Sequence, residues 1–172
     1  MSNSQQDPAM KIYLNQLVKE DSTEAMDIFN YYVENSFAAY PDSKLPLEFF
    51  DVLLLMTAGY PALTARNDEK TLMGFGFLRP YNPIPAFIRT AEITYFVRPE
   101  FIGKGVGKAL HDYLLQFGQQ MGLHTVLANV SSLNEESIRF HLRNGFTECG
   151  RLKEIAEKKG QVFDVVYFQK ML

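Results

Sequence analysis

The sequence predicts an α/β protein built on one mixed sheet, and three observations carry that prediction. Segments with the two-residue alternation of strands interleave with segments of helical three-and-four spacing along all 172 residues. An apolar strand pattern, Ile93-Thr94-Tyr95-Phe96-Val97, leads into Gly103, Gly105 and Gly107, spaced two apart, and a helical pattern opens at once. Bulky material suffices for one core without staples, since 47% of the chain is apolar and it holds 14 Phe and 9 Tyr.

The elements follow in order. After a polar start, Met1 to Pro8, expected to be frayed within a tail over residues 1–10, Lys11–Val18 reads as a first strand with Ile12 and Leu14 alternating. Asp21 starts a helix with Glu24 as its capping-box partner, and Ala25, Ile28, Phe29, Tyr32 and Val33 fall on one face. Leu47–Met56, set off by Pro41 and Pro46, is the second helix. Ala62–Arg66 and Thr71–Leu78 flank the polar turn Asn67-Asp68-Glu69-Lys70 as a hairpin. Pro80, Pro83 and Pro85 mark an extended loop before the strand Thr90–Val97.

The helix Gly107–Met121 carries Leu110, Leu114, Phe117 and Met121 on one side, and the strand Thr125–Val130 follows. Asn134 caps a fourth helix whose first turn holds Glu135 and Glu136, favourable against its dipole, and Asn144-Gly145 ends it. Thr147–Ala156 and Val162–Gln169 form a final strand pair around Lys158-Lys159-Gly160. No repeat, linker or low-complexity tract interrupts residues 11–172, which read as a single domain.

Composition excludes several function classes. With 17 basic and 20 acidic residues and no basic block, bulk electrostatics offers nothing to nucleic acid. One cysteine, Cys149, rules out an internal disulfide and a cysteine-based metal cluster. No apolar run reaches membrane-spanning length and no basic-then-apolar leader opens the chain, so a soluble, cytoplasmic protein without membrane or metal is expected.

The glycine segment has the makings of an anion site. Glycines admit close approach of a ligand to the backbone, and the free N–H groups opening a helix point at negative charge. Lys104 and Lys108 add cations there. The alternative is a glycine-rich turn with no ligand. A dinucleotide fingerprint starting at Gly103 and Gly105 would need its third glycine at Lys108. A Walker loop would need Ser or Thr at Ala109 and Gly at Ile102, so neither nucleotide motif fits.

The segment resembles the pyrophosphate loop of the GNAT superfamily of N-acetyltransferases, Arg/Gln-x-x-Gly-x-Gly/Ala. Gly105 and Gly107 take the small positions, and Ile102 stands where Arg or Gln is usual. Asn134-Glu135-Glu136-Ser137-Ile138-Arg139-Phe140-His141-Leu142-Arg143-Asn144-Gly145-Phe146 resembles the superfamily's Asn-x-x-Ala/Ser-x-x-x-Tyr-x-x-x-Gly-Phe helix, with His141 at the tyrosine. Ile28–Val33, Thr90-Ala91-Glu92, Gly150-Arg151-Leu152 and Phe163–Val166 are similar to the phosphinothricin acetyltransferase-like branch. The resemblance implies a mostly antiparallel sheet with one splayed parallel pair and about four flanking helices, and apolar sheet edges lead to the expectation of a homodimer.

It also implies acetyl transfer from acetyl-CoA to the primary amine of an amino acid or an analogue, by direct attack in a ternary complex. The diphosphate would lie on Gly103, Lys104, Gly105, Val106, Gly107 and Lys108, and the pantetheine along Tyr95, Phe96 and Val97, with Asn134 and Ser137 from the second motif. Glu92 and His141 stand at the branch's proposed acid–base positions. An ammonium must lose a proton before it attacks a thioester, which suits Glu92; the alternative is an edge-strand carboxylate. His141 is open between base, acid for the departing thiolate, and structural histidine.

Phe37, Arg79, Phe87 and Arg89 are the substrate-pocket candidates. Asn82 and Ile84 replace the cations that the branch carries in this loop, so acceptors less polar than phosphinothricin are expected. A protein or peptide acetyltransferase and a non-catalytic acyl-CoA-binding module are the competing functions.

Overall fold

A computed structural model describes residues 10–172. The expected tail lies outside the described residues up to position 9, and Met10 already packs against the core. The strands are β1 (Tyr13–Gln16), β2 (Ala62–Arg66), β3 (Leu72–Pro80), β4 (Thr90–Val97), β5 (Thr125–Ser131), β6 (Thr147–Lys158) and β7 (Gln161–Met171). The helices are α1 (Ser22–Asn35), α2 (Phe49–Met56), α3 (Val106–Gln120) and α4 (Glu135–Arg143). All seven strands form one sheet in the order β1-β2-β3-β4-β5-β7-β6. Every neighbouring pair is antiparallel except β4–β5.

The sheet divides two cores. On one face α3 packs Val106, Leu110 and Leu114 against Ala91 and Ile93 of β4 and Val126 and Ala128 of β5. On the other, Ile28 and Val33 of α1 and Phe50 and Leu53 of α2 cover Phe75, Phe77 and Phe96. Successive β4 side chains alternate between the faces, so Tyr95 and Val97 belong to the α3 side while Glu92 and Phe96 belong to the α1–α2 side.

Two local expectations are corrected. Asp21 takes the N-cap position of α1 but makes no side-chain capping bond. Its carboxylate instead accepts from the Val18 N–H at 2.8 Å and from Arg66 at 2.7 Å, while Glu24 takes Arg66 at 2.8 Å and the Leu72 N–H at 3.2 Å. A cross-sheet arginine outcompetes the local box. On α3 the buried face is Leu110, His111, Leu114, Leu115 and Gly118, whereas Phe117 and Met121 are 40% and 47% exposed. Gly118 allows this rotation: a side chain there would sit 3.2 Å from Leu78 and Leu123. The Asn134 cap is present, its Oδ1 accepting from the Ser137 N–H at 3.2 Å. Among the described residues no helix is long and apolar enough to cross a membrane.

Helix α3 can approach β3 because β3 is bare at Gly74 and Gly76. A Cβ on Gly74 would lie 2.7 Å from the Phe96 carbonyl oxygen, and one on Gly76 would lie 2.9 Å from the Tyr95 Cβ. Alanine usually gains about 0.5–1 kcal/mol over glycine by restricting the unfolded chain. Here overpacking against the β4 backbone, typically about 1–3 kcal/mol, outweighs it. Gly74→Ala is therefore expected to lower the urea midpoint with an unchanged slope; a midpoint at or above wild type would show that β4 yields.

Candidate active site

Strands β4 and β5 pair over only three positions, Thr90–Thr125, Ala91–Val126 and Glu92–Leu127. Beyond Glu92, β4 stays with β3 as far as Val97 opposite Gly74, and β5 stays with β7 as far as Ser131 opposite Val165. The strands part like a wedge, and the β4 backbone from Ile93 to Val97 faces the gap without a partner strand. An unpaired strand edge is a template for another extended chain. The gap opens into a cleft of about 770 Å³.

The glycine loop closes one end of that cleft. After Pro99–Phe101, one turn of 3₁₀ helix, Gly103 and Gly105 adopt φ of +76° and +85°, which side-chain-bearing residues rarely tolerate. Gly105 is the N-cap of α3, and the first helical bond is that from the Ala109 N–H to the Gly105 carbonyl. The N–H groups of Val106, Gly107 and Lys108 thus have no carbonyl a turn below them, at the positive end of a 15-residue helix. Gly107 and Lys108 line the cleft, as do Asn134, Ser137, Arg139 and Arg143 from the start and outer face of α4. These donors and cations suit a diphosphate, and the wedge suits an amide-bearing arm.

Of the expected cofactor residues, Tyr95, Phe96, Val97, Gly103, Gly105, Gly107, Lys108, Asn134 and Ser137 line the cleft. Val106 does not: its side chain is buried in the core, leaving only its N–H for a ligand. Lys104 lies over the Phe101 ring, 5.4 Å from its centroid. Tyr32, Ala38, Phe101, Arg139 and Arg143 were not anticipated. The Tyr32 hydroxyl donates to the Val97 carbonyl, tying α1 to the end of β4, and burial followed by the nearby Glu136 charge pushes this phenol up to about 12. The two arginines carried a signal, their four-residue spacing on α4 beside a helix start.

Glu92 and His141 are not brought together. Glu92 sits at the vertex of the wedge on the α1–α2 face, held by Arg79, its register partner on β3, at 2.5 Å. His141 is buried on the opposite face, stacked between Tyr95 and Phe168. Its Nδ1 lies 2.7 Å from the Ser137 carbonyl, an acceptor only, so Nδ1 carries the proton. Nε2 then accepts from the Tyr95 hydroxyl at 2.6 Å. Burial pushes this imidazole down to about 4, partly opposed by the Ser137 carbonyl and reinforced by His111. Burial likewise pushes the Tyr95 phenol up.

The acceptor candidates scatter. Arg79 adjoins Glu92, and Phe37 packs edge-on to Phe163 with ring centroids 5.6 Å apart. Arg89 is engaged elsewhere: it lies exposed in the turn before β4, and its Nε donates to the Gly122 carbonyl at 3.0 Å, at the foot of α3. Phe87 leans on Tyr81 in the proline-rich loop and is 39% exposed, and Ile84 is more exposed still, so neither lines an apolar pocket.

Comparison with known proteins identifies the family. The sequence profile of the Acetyltransferase (GNAT) family matches residues 25–146. The chain is 28% identical to phosphinothricin N-acetyltransferase of Streptomyces coelicolor, over 90% of this chain and 93% of that one. It is 30% identical to L-methionine sulfoximine/L-methionine sulfone acetyltransferase of Pseudomonas paraeruginosa, over 83% and 84%. Among solved structures, yncA of Salmonella typhimurium with its cofactor acetyl-CoA superposes with a TM-score of 0.84 at 25% identity, covering 94% of each chain.

The His141 environment generates a pH prediction. Its folded pKa of about 4 lies below the unfolded value of 6.5, so above pH 7 the ring is neutral in both states. As pH falls from 6.5 to 4 the unfolded chain takes up a proton that the native state refuses. Native stability should therefore drop by roughly 3 kcal/mol over that window on account of His141. His141→Phe should lose stability less steeply on acidification, measured by urea unfolding from pH 7 to pH 4.5; equal slopes would place the excluded proton elsewhere.

Proposed function

The chain belongs to the acetyltransferase (GNAT) family and is an acyltransferase, and from that premise we propose that it moves the acetyl group of acetyl-CoA to the primary amine of a small amino acid or amino-acid analogue. The transfer is direct, within a ternary complex. The wedge between β4 and β5 carries this reading, because it opens at Glu92, the last position of β4 paired with β5, beside a cleft whose lining suits a diphosphate. Acetyl-CoA supplies an activated thioester. Everything else is work for the chain's own groups.

The N–H groups of Val106, Gly107 and Lys108, with Arg139 and Arg143, hold the diphosphate end. The free β4 edge from Tyr95 to Val97 takes the pantetheine amides as a strand would. Glu92 accepts a proton from the acceptor ammonium, and Arg79 fixes the carboxylate's direction. His141 is a positioning residue: sealed from the cleft, its neutral Nε2 accepts the Tyr95 hydroxyl proton and so fixes the Tyr95 side chain in the cleft wall. The loop after α1 favours small acceptors over peptides, since Tyr40 hydrogen-bonds Asn129 of β5 at 3.2 Å across the α1–α2 side of the sheet. A homodimer is part of this proposal: β6 is an outer strand exposed along nearly its whole length, Leu152 and Ile155 included.

Glu92→Gln keeps the shape and removes the base, so kcat for an amino-acid acceptor should fall about 10²-fold or more. Acetyl-CoA affinity should be unaltered, and rising pH should restore part of the rate as free amine accumulates. Wild-type turnover in Glu92→Gln, with thiol release as the readout over an amine panel, would move the base elsewhere.

The donor site is tested separately by Gly107→Val. A Cβ there meets Val97 and Phe140 at 3.6 and 3.7 Å, ordinary contact, so the variant should fold while its methyls enter the cleft. Calorimetry should show acetyl-CoA binding weakened about tenfold or more, at least 1.4 kcal/mol. Unchanged affinity in the folded variant would remove the diphosphate from this loop.

A further inference from the structure

The β6–β7 turn does more than reverse the chain. Lys159 and Gly160 both take positive φ, 52° and 72°, a two-residue hairpin turn that fixes the position of Lys158 opposite Gln161. Lys158 is 1% exposed, and among the described residues no carboxylate receives its ammonium. All three of its protons are spent on backbone carbonyls across the molecule: Val33 at 2.7 Å, Ser36 at 2.8 Å and Ala39 at 2.6 Å. Val33 belongs to the last turn of α1, where carbonyls lack helical partners and the dipole is negative, so a cation there is favoured. Ser36 and Ala39 belong to the segment that leaves the helix.

That segment runs on the α1–α2 side of the sheet, the side to which Glu92 belongs. Ala38 lines the cleft, Phe37 packs on Phe163 of β7, and Tyr40 reaches Asn129 of β5. The Lys158 ammonium ties this segment to the β6–β7 turn by holding carbonyls before and after Ala38. We propose that Lys158 is a positioning residue for the amine acceptor, shaping the wall formed by residues 36–40 without touching the donor site. The proposal rests on the acetyl-transfer reading above. It assigns the two substrates to separate supports: the glycine loop for acetyl-CoA, and the β6–β7 turn for the amine.

Lys158→Met keeps the length and apolar stem of the side chain and removes its donors. The expected result is a split. Acetyl-CoA affinity by calorimetry stays within about twofold of wild type, while KM for an amino-acid acceptor rises about tenfold and kcat changes less. Preference between small and bulky amino-acid acceptors should also narrow, and hydrogen exchange should accelerate at residues 36–45 alone. Should Lys158→Met not fold, Lys158→Gln, which retains two donors, should show the same split in milder form. An unchanged acceptor KM in a folded variant would overturn the proposal, as would acetyl-CoA affinity falling in parallel with it. Wild-type protein that binds acetyl-CoA but acetylates no amine would instead bring down the acetyl-transfer reading, and this proposal with it.

Discussion

The parting of β4 from β5 after three paired positions is the constraint on which the rest of the molecule depends. A sheet interior normally leaves no backbone group unsatisfied, and here the edge of β4 is left open along the residues that line the cleft. The surroundings are built to hold that opening. Tyr32 grips the last carbonyl of β4 from the α1 side, β3 supports β4 along its other edge, and β7 keeps β5 in place as far as Ser131. Glu92 and the glycine loop then fall at opposite ends and on opposite faces of one strand without any further device.

Much of this was legible in the chain. Strand and helix order, the β2–β3 hairpin, the limits of β4 and the Asn134 cap followed from periodicity and punctuation, because each depends on neighbours in sequence. The glycine loop was legible for the same reason, being a local strand–turn–helix transition. Errors arose where a distant residue decided the outcome. Glu24 has capping-box spacing, yet Arg66 from β2 claims it together with Asp21. The apolar stripe Leu110-Leu114-Phe117-Met121 is correctly spaced, but Gly118 lets α3 roll toward Leu78 and turns its last two members outward. Arg89 adjoins β4 in sequence, yet its side chain is taken by the Gly122 carbonyl at the foot of α3.

Lys158 shows the limit most plainly. In sequence it is one of two lysines before a glycine, which reads as a solvated turn. The twin residues have opposite environments: Lys158 is enclosed, and burial pushes its ammonium pKa down, while Lys159 stays exposed and reaches only the Glu34 carbonyl. What separates them is the two-sided geometry of a hairpin tip lying over a helix end about 120 positions earlier, and no window along the sequence contains both partners. His141 is a milder case. Its motif position was recognisable, but its tautomer is set by a carbonyl one helical turn back and its seal by aromatic rings from β4, β7 and the loop after α4.

The bare stretch of β3 at Gly74 and Gly76 has a consequence for how this chain tolerates change. Neither residue is among those lining the cleft, and neither needs a left-handed backbone; each is glycine because β4 and α3 occupy the space where a side chain would begin. A saturation-mutagenesis map scored on cell-based activity would therefore mark β3 as intolerant alongside the glycine loop. The two signals would have different origins, since one reports steric exclusion inside the scaffold and the other the ligand contact proposed for the loop. Scoring protein abundance in parallel separates them: scaffold positions lose protein, whereas loop positions such as Gly107 keep the protein and lose the reaction.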